Sequence, residues 1–329
     1  MVSSDFATNF LKLAKSDKNI VSFIFLLRQK RFMWRLKMDS GNIGFVLLCA
    51  AFVFVMTPGL AMFYGGLVRK KNVVNTMMTS IFIIGIGIVM WVLFGYSLSF
   101  APSGNAFIGD FRWLGLEGVS LTEGYTDDAS IPNMVFSAFQ MMFAVITPAL
   151  ITGAVAGRMK FKSIFVFTIF WSLIVYYPLA HMVWGQGGLL GADGIGALDF
   201  AGGDVVHISS GVSALVLCIL LGKRHDYEHS IYRIHNIPTV VLGASLLMFG
   251  WFGFNAGSAL AADGLAAHAF MTTGVSAAAA MLSWMLCDVI KNKKPTLIGA
   301  STGIVAGLVG ITPGAGFVPM WAAVIIGLT

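Results

Sequence analysis

The sequence predicts an all-α polytopic membrane protein, and this prediction rests on its composition and on the lengths of its apolar runs. Hydrophobic residues make up 57% of the 329 positions and charged residues only 11%, whereas a soluble domain carries about 25% charged residues. The mean hydropathy is +0.83. Because so few charges cannot cover the surface of a soluble domain, lipid is expected to surround most of the chain.

Apolar runs long enough to cross a bilayer follow one another along most of the sequence. A spanning helix needs about 20 apolar residues, and lipid offers no partners to unpaired backbone groups, so each run is predicted to be a helix. None shows the alternation of a barrel strand. The predicted spans are 42–67, 73–100, 131–156, 163–182, 200–221, 237–258, 265–288 and 296–312, and a ninth run begins near 317 and reaches Thr329.

The loops between these runs alternate in charge. Basic clusters follow the first, third, fifth and seventh runs, while the intervening loops are acidic or neutral. Because basic loops stay in the cytoplasm, the sequence predicts a multi-pass plasma-membrane protein whose first span begins outside the cell. The basic residues are Arg69, Lys70, Lys71, Arg158, Lys160, Lys162, Lys223, Arg224, Arg233, Lys291, Lys293 and Lys294.

Residues 1–37 do not fit this pattern, because their many basic side chains would lie outside the cell. The apolar piece Ile20–Leu27 is too short to span a bilayer, and no small-residue cleavage site follows it. We therefore expect residues 1–37 to be an N-terminal extension outside the fold and 38–329 to form the membrane domain. An interfacial amphipathic helix is the alternative for the extension.

Composition and motifs argue against enzyme, metal and nucleic-acid functions. The sequence has no His-Glu-x-x-His motif, which would hold a catalytic zinc ion. The cysteines Cys49, Cys218 and Cys287 lie in apolar stretches without metal-ligand spacing, so no metal, cofactor or disulfide is expected. The basic residues that follow residue 37 lie in short loops between apolar runs, so the net charge of +6 is not taken as a sign of a nucleic-acid partner, and none is expected.

Five segments carry motifs that resemble one known family when they are read in order. The set resembles the ammonium transporter (Amt/Rh) family, and its Amt branch in particular, from about Asn42 to Thr329. The segments are Pro58–Leu67 (PGLAMFYGGL), Phe139–Phe143 (FQMMF), Ala180–Gly185 (AHMVWG), Ala197–His207 (ALDFAGGDVVH) and Gly250–Ser258 (GWFGFNAGS).

The resemblance implies a particular architecture and particular partners. Members of the family have eleven helices, built as an inverted repeat of five plus five and one more helix. About the first eight to nine would be present here, so we expect a domain truncated at its C-terminus that holds one of the family's two pore histidines. The resemblance also implies a homotrimer with one pore per subunit and, as in many members, a PII-type signalling protein on the cytoplasmic face.

The implied function is transmembrane transport of ammonium or ammonia, and the resemblance assigns residues to it. The family's outer site, which recruits ammonium, is matched here by Trp184, Phe143 and Ser258. Such residues suit a cation, because aromatic faces attract cations and a hydroxyl accepts N–H groups. Phe143 and Phe254 match the stacked rings that close the pore below that site. Apart from the resemblance, Trp184 is typical of an interfacial belt, and the two phenylalanines are typical of ordinary packing.

His207 is predicted to line the pore. It lies seven positions past Phe200, which predicts a depth of about 10 Å in the fifth span. An ionisable residue at such depth indicates function, although a histidine bonded to a neighbouring helix is the alternative. Since a neutral imidazole both donates and accepts, the implied mechanism is deprotonation of ammonium near the gate, conduction of ammonia and relay of the proton.

Asp199 matches the buried carboxylate of the family, just before the fifth span. A carboxylate beside a helix N-terminus bonds free N–H groups and stabilises the helix dipole. We therefore expect a structural role for Asp199 first and an electrostatic role at the vestibule second.

Two further functions remain within the same fold. An ammonium sensor (transceptor) would need an attached signalling domain. A Rh-type gas channel is disfavoured by Trp184 and Ser258, since that pair suits a cation.

Overall fold

The chain folds as a bundle of long helices. The computed structural model describes residues 38–102, 104–192, 194–224, 227 and 232–329, so the expectation for residues 1–37 lies outside the described residues. Within these ranges eight helices are long and apolar enough to cross a membrane, which confirms the prediction of an all-α polytopic membrane protein. The helices are α1 (Ser40–Leu67), α2 (Lys70–Phe100), α3 (Asn133–Val155), α4 (Phe161–Trp184), α5 (Gly203–Leu221), α6 (Ile237–Gly257), α7 (Gly264–Asn292), α8 (Leu297–Gly314) and the shorter α9 (Met320–Leu328).

Polar side chains set the starting points of several helices. The first N–H groups of a helix have no partner within it, and a side-chain oxygen just before the helix supplies one. Each of these capping residues lies directly before an apolar run. The first N–H groups of the helix are therefore bonded before the chain enters the apolar run. The capping residues are Asp39 for α1, Asn236 for α6, Asp263 for α7 and Thr296 for α8.

The loops meet on two opposite sides of the bundle. On one side, which we call the acidic side, the Asn42 amide donates to Ser130 Oγ (2.8 Å) and accepts from the Ala262 N–H (2.9 Å). These bonds join the start of α1 to the loops before α3 and α7. On the other side, the basic side, Arg158 donates to the Gly222 carbonyl (2.7 Å), which joins the loop after α3 to the loop after α5.

Helices α1 and α6 form the most extensive helix pair, and glycines let their backbones meet. A methyl group placed on Gly243 of α6 would lie 2.7 Å from the Gly59 carbonyl oxygen and 2.7 Å from Phe63 Cα of α1. Both atoms belong to the backbone, so a rotamer change cannot relieve the clash. Small residues at such crossings are the usual device for close helix packing in lipid.

Replacing Gly243 with alanine is expected to lower the stability of the bundle by about 1–3 kcal/mol, the usual cost of overpacking. Gly85 of α2 has no atom within 4 Å of the position of an added methyl group. The matched Gly85→Ala variant should therefore stay within about 1 kcal/mol of the parent protein. Melting temperatures in detergent measure both effects, and equal melting temperatures for the two variants would contradict the packing argument.

A Gly-x-Ser-x-Gly pattern at Gly299–Gly303 does not form a nucleophile elbow. In α/β-hydrolases this motif sits on a sharp turn from a strand to a helix, which exposes the serine hydroxyl. Here Ser301 lies inside the α-helix Leu297–Ile311 and is buried. A methyl group on Gly303 would lie 2.7 Å from the Ala280 carbonyl oxygen of α7. The pattern therefore serves helix packing.

Candidate functional site

A cavity of about 440 Å³ opens on the acidic side and contains the three residues predicted for ammonium recruitment. Trp184, Phe143 and Ser258 all line it, together with residues of the loops before α3 and after α6. These three residues belong to different helices or helix ends and are far apart in the sequence. We call this space the acidic-side cavity.

Trp184 is held in place at the end of α4. Its indole Nε1–H donates to the Asp199 carbonyl oxygen (3.2 Å). Its ring stands nearly perpendicular to Phe143, with the ring centroids 6.0 Å apart. Because the polar edge of the indole is bonded to backbone, the ring has a fixed direction in the cavity wall.

Ser258 follows α6 and has its hydroxyl hydrogen already engaged. Ser258 Oγ donates to the Phe254 carbonyl oxygen (2.9 Å). A hydroxyl has one donor hydrogen and two acceptor lone pairs. The oxygen therefore remains free to accept an N–H group from a molecule in the cavity.

Two phenylalanine rings close the floor of the acidic-side cavity. The centroids of Phe143 and Phe254 lie 4.3 Å apart at an interplanar angle of 39°. Both side chains are fully buried, so no open passage runs between them. The edge of Phe139 packs against Phe143 from the same helix (4.9 Å).

His207 lies beyond this floor, where it stacks on two aromatic rings of α6. Its centroid is 5.9 Å from Phe254 and 5.3 Å from Trp251, and both pairs are nearly parallel. Its Nε2 atom is buried and forms no hydrogen bond with a described residue. The imidazole is thus fixed by stacking, while this nitrogen keeps its hydrogen-bonding capacity.

The predicted start of the fifth span is wrong. Helix α5 begins at Gly203 and not at Phe200, because Gly202 adopts a φ of +117° in the turn before it. His207 is therefore four residues past the helix start instead of seven. The segment Gly203–Ile208 is also π-helical, a wider turn that the sequence pattern did not reveal.

A second cavity, of about 670 Å³, opens on the basic side and reaches His207 from the opposite direction. Tyr64, Ser210 and Arg224 line it as well. We call it the basic-side cavity. Phe254 touches both Phe143 of the first cavity and His207 of the second. The ring series Trp184, Phe143, Phe254 and His207 thus connects the two cavities.

Asp199 organises the turn before α5. Its Oδ1 atom accepts the N–H groups of Gly202 and Gly203 (both 2.6 Å), and its Oδ2 atom accepts those of Asp204 (2.8 Å) and Val205 (3.1 Å). Burial raises the pKa of the Asp199 carboxyl above its ordinary value, while these four N–H groups oppose the rise. Asp199 is not among the described residues that line the acidic-side cavity, but its carbonyl oxygen accepts the indole N–H of Trp184, which does line it.

Several residues of this arrangement were not selected from the sequence. Trp251 stacks on His207, and its spacing of three from Phe254 on one helix was the available signal. Gln140 lines the acidic-side cavity between Phe139 and Phe143, and a buried amide in an aromatic helix face was its signal. Tyr125 also lines this cavity, and burial raises its pKa to about 12, so its hydroxyl stays neutral.

Comparison with known proteins gives a consistent result. The sequence model described as the Ammonium Transporter Family matches residues 44–329. An ammonium transporter of Bacillus subtilis (strain 168) is 53% identical over 291 residues, which cover 88% of this chain and 70% of that protein. An ammonium transporter of Mycobacterium bovis is 44% identical, and the chain spans 65% of its length. The chain thus covers about two thirds of these relatives.

Solved structures agree with the sequence comparison. Candida albicans Mep2 superposes with a TM-score of 0.82 at 34% identity, over 90% of this chain and 65% of that one. A structure described as a sensor Amt protein superposes with a TM-score of 0.78 at 30% identity, over 88% of this chain and 72% of that one. The motifs, the fold and both comparisons agree, and the chain belongs to the ammonium transporter family.

Proposed function

We propose that this protein carries ammonium or ammonia across the cell membrane, with the acidic-side cavity as the recruitment site. The observation that carries the proposal is the contact series Trp184, Phe143, Phe254 and His207 between two cavities on opposite sides of the bundle. An apolar barrier excludes a cation, since burying an unpaired charge raises the free energy by far more than one contact lowers it. The series provides a place to bind the cation and then a place to handle its proton.

Recruitment uses the chemistry of the acidic-side cavity. The faces of Trp184 and Phe143 attract a partly desolvated cation by about 0.5–2 kcal/mol. Ser258 Oγ accepts one N–H group of ammonium, since its own hydrogen is bonded to the Phe254 carbonyl. Together these groups select a small cation with hydrogen-bond donors. This chemistry favours ammonium recruitment over a Rh-type gas channel.

Conduction continues past the phenylalanine pair. As ammonium reaches Phe143 and Phe254, one N–H bond breaks and the proton passes to the Nε2 atom of His207. Neutral ammonia then passes the rings when they move apart. His207 then offers a donor and an acceptor to ammonia and a path for the proton. Its unbonded, buried Nε2 supports this role, because a buried polar atom without a partner favours binding a partner that enters the cavity.

Orientation and assembly complete the proposal. The acidic side faces outward and the basic side faces the cytoplasm, as the loop charges indicate. By analogy with the family, the protein forms a homotrimer, and a PII-type signalling protein binds at the basic side. An ammonium sensor is the second candidate function, since the likeness to a sensor Amt protein favours it.

Replacing Trp184 with leucine tests the recruitment step. Loss of the aromatic face is expected to raise the KM for methylammonium uptake into proteoliposomes about tenfold, equivalent to about 1.4 kcal/mol. Trp321→Leu is the matched control, because Trp321 lies exposed on α9 outside both cavities, and it should leave the KM unchanged. An unchanged KM for Trp184→Leu would overturn the recruitment role. Absence of uptake by the parent protein would favour the sensor.

A further inference from the structure

The side chain of Gln140 on α3 lies in the wall of the acidic-side cavity, and no described residue bonds its amide oxygen. It is only 8% exposed, and its Oε1 atom is buried with no hydrogen bond to a described residue. Buried side-chain amides in folded proteins are nearly always hydrogen-bonded, because an unbonded one loses its solvation without compensation. The amide of Gln140 therefore requires a partner that the described residues do not supply.

The position of Gln140 points to a partner inside the cavity. Phe136, Phe139, Gln140 and Phe143 all line this space from one face of α3. Gln140 precedes Phe143 by three residues, so it lies about 4.5 Å closer to the acidic side along the helix. A purely apolar wall would suit methionine or leucine at this position equally well. The amide is thus placed directly above the aromatic floor, where the cargo stops.

The chemistry of ammonium matches this place. Ammonium carries N–H groups in four directions, and Ser258 Oγ accepts one of them, while the rings of Trp184 and Phe143 face others. A side-chain amide has an acceptor oxygen and a donor nitrogen of nearly equal shape. In the structure the Oε1 atom is shielded from the cavity. A half-turn of the Gln140 amide exchanges its two ends without changing the packing, and this rotation presents the oxygen to the cargo.

We propose that Gln140 is a specificity-determining residue of the acidic-side cavity, whose amide oxygen accepts a second N–H group of ammonium. The inference rests on the proposed function and adds a source of selectivity to it. Methylammonium has one N–H group fewer and a methyl group that needs room. Gln140 therefore favours ammonium over methylammonium.

The test is Gln140→Met, which keeps the length of the side chain and removes the acceptor. The apparent affinity for ammonium is expected to fall about tenfold, as for loss of one hydrogen bond to a charged group. The affinity for methylammonium should fall less than about threefold, because the vacated space accepts the methyl group. Competition of ammonium against labelled methylammonium uptake in proteoliposomes measures both values. An unchanged ratio of the two affinities would overturn the proposal.

Two variants separate cargo binding from packing. Gln140→Glu keeps the shape and the acceptor oxygens, so it should retain the preference for ammonium over methylammonium. If Gln140 only packed the cavity wall, Gln140→Glu and Gln140→Met would show the same ratio of the two affinities. Asn292→Leu is the control, because the Asn292 amide is exposed at the end of α7, outside the acidic-side cavity, where it donates to Asp288 (3.4 Å). It should leave the ratio unchanged.

Absence of uptake by the parent protein would contradict the proposed function. A binding measurement tests the role of Gln140 in that case as well. A ligand that binds the folded state raises the melting temperature. Ammonium chloride should raise the melting temperature of the parent protein and of Gln140→Glu more than that of Gln140→Met, relative to sodium chloride. Equal shifts for all three proteins would overturn the role of Gln140 whatever the transport result.

Discussion

Replacing Asp199 with alanine is expected to destabilise the folded protein and to abolish ammonium uptake. The carboxylate accepts four backbone N–H groups at the start of α5, and hydrogen bonds to a charged group contribute about 1.5–3 kcal/mol each. The effects of neighbouring bonds do not add fully, so we expect the free energy of unfolding to fall by an amount on the order of 4 kcal/mol. The released turn also carries the carbonyl that holds Trp184.

The matched control is Asp263→Ala. Asp263 caps α7 by accepting the N–H groups of Leu265 (2.9 Å) and Ala266 (3.0 Å), but it is exposed. Its loss should cost only about 1 kcal/mol and leave the KM for uptake near that of the parent protein. Melting temperature and proteoliposome uptake measure both variants. If Asp199→Ala melts and transports like Asp263→Ala, the buried turn does not have the role assigned to it.

The helices could be predicted from the sequence because lipid imposes a simple rule on apolar runs. A backbone in lipid must bond to itself, so each run of about 20 apolar residues had to be a helix. The predicted span 237–258 and the observed Ile237–Gly257 differ by a single residue. This rule does not depend on which helices touch each other.

The start of α5 could not be predicted in the same way. Phe200 is apolar and continues the run, yet the helix begins at Gly203 because Asp199 and Gly202 form a turn there. Hydropathy treats the residues of such a turn as part of the span. In the π-helical segment that holds His207, each N–H meets a carbonyl one residue further back and the turn widens. The segment is only six residues long, so the side-chain pattern carries little signal for it.

The site was predictable only in part for a related reason. Trp184, Phe143 and Ser258 come together through tertiary packing, and their spacing in the sequence contains no sign of it. The resemblance to a family supplied that grouping. The unbonded amide of Gln140 is a property of the folded surroundings, since only the structure reveals that no described residue bonds it.

Replacing His207 with alanine is expected to lower ammonium uptake by about a hundredfold, the lower range for loss of a positioned group that transfers protons. His207 is the group between the phenylalanine pair and the basic-side cavity. Without its imidazole, ammonia leaving Phe254 meets no donor or acceptor at that point, and the relayed proton has no carrier. Folding should be affected less, since Trp251 and Phe254 also pack against each other, with their ring centroids 5.5 Å apart.

The control for this prediction removes a histidine whose ring bonds a backbone carbonyl in the described part of the chain. His268 Nε2 lies 2.8 Å from the Val318 carbonyl, away from both cavities, and His268→Ala should keep uptake within a few-fold of the parent protein. A His207→Ala protein that melts normally but transports poorly places the effect in conduction. Normal uptake by that protein would show that the imidazole only packs against Trp251. In that case the phenylalanine pair alone would have to account for the barrier between the cavities.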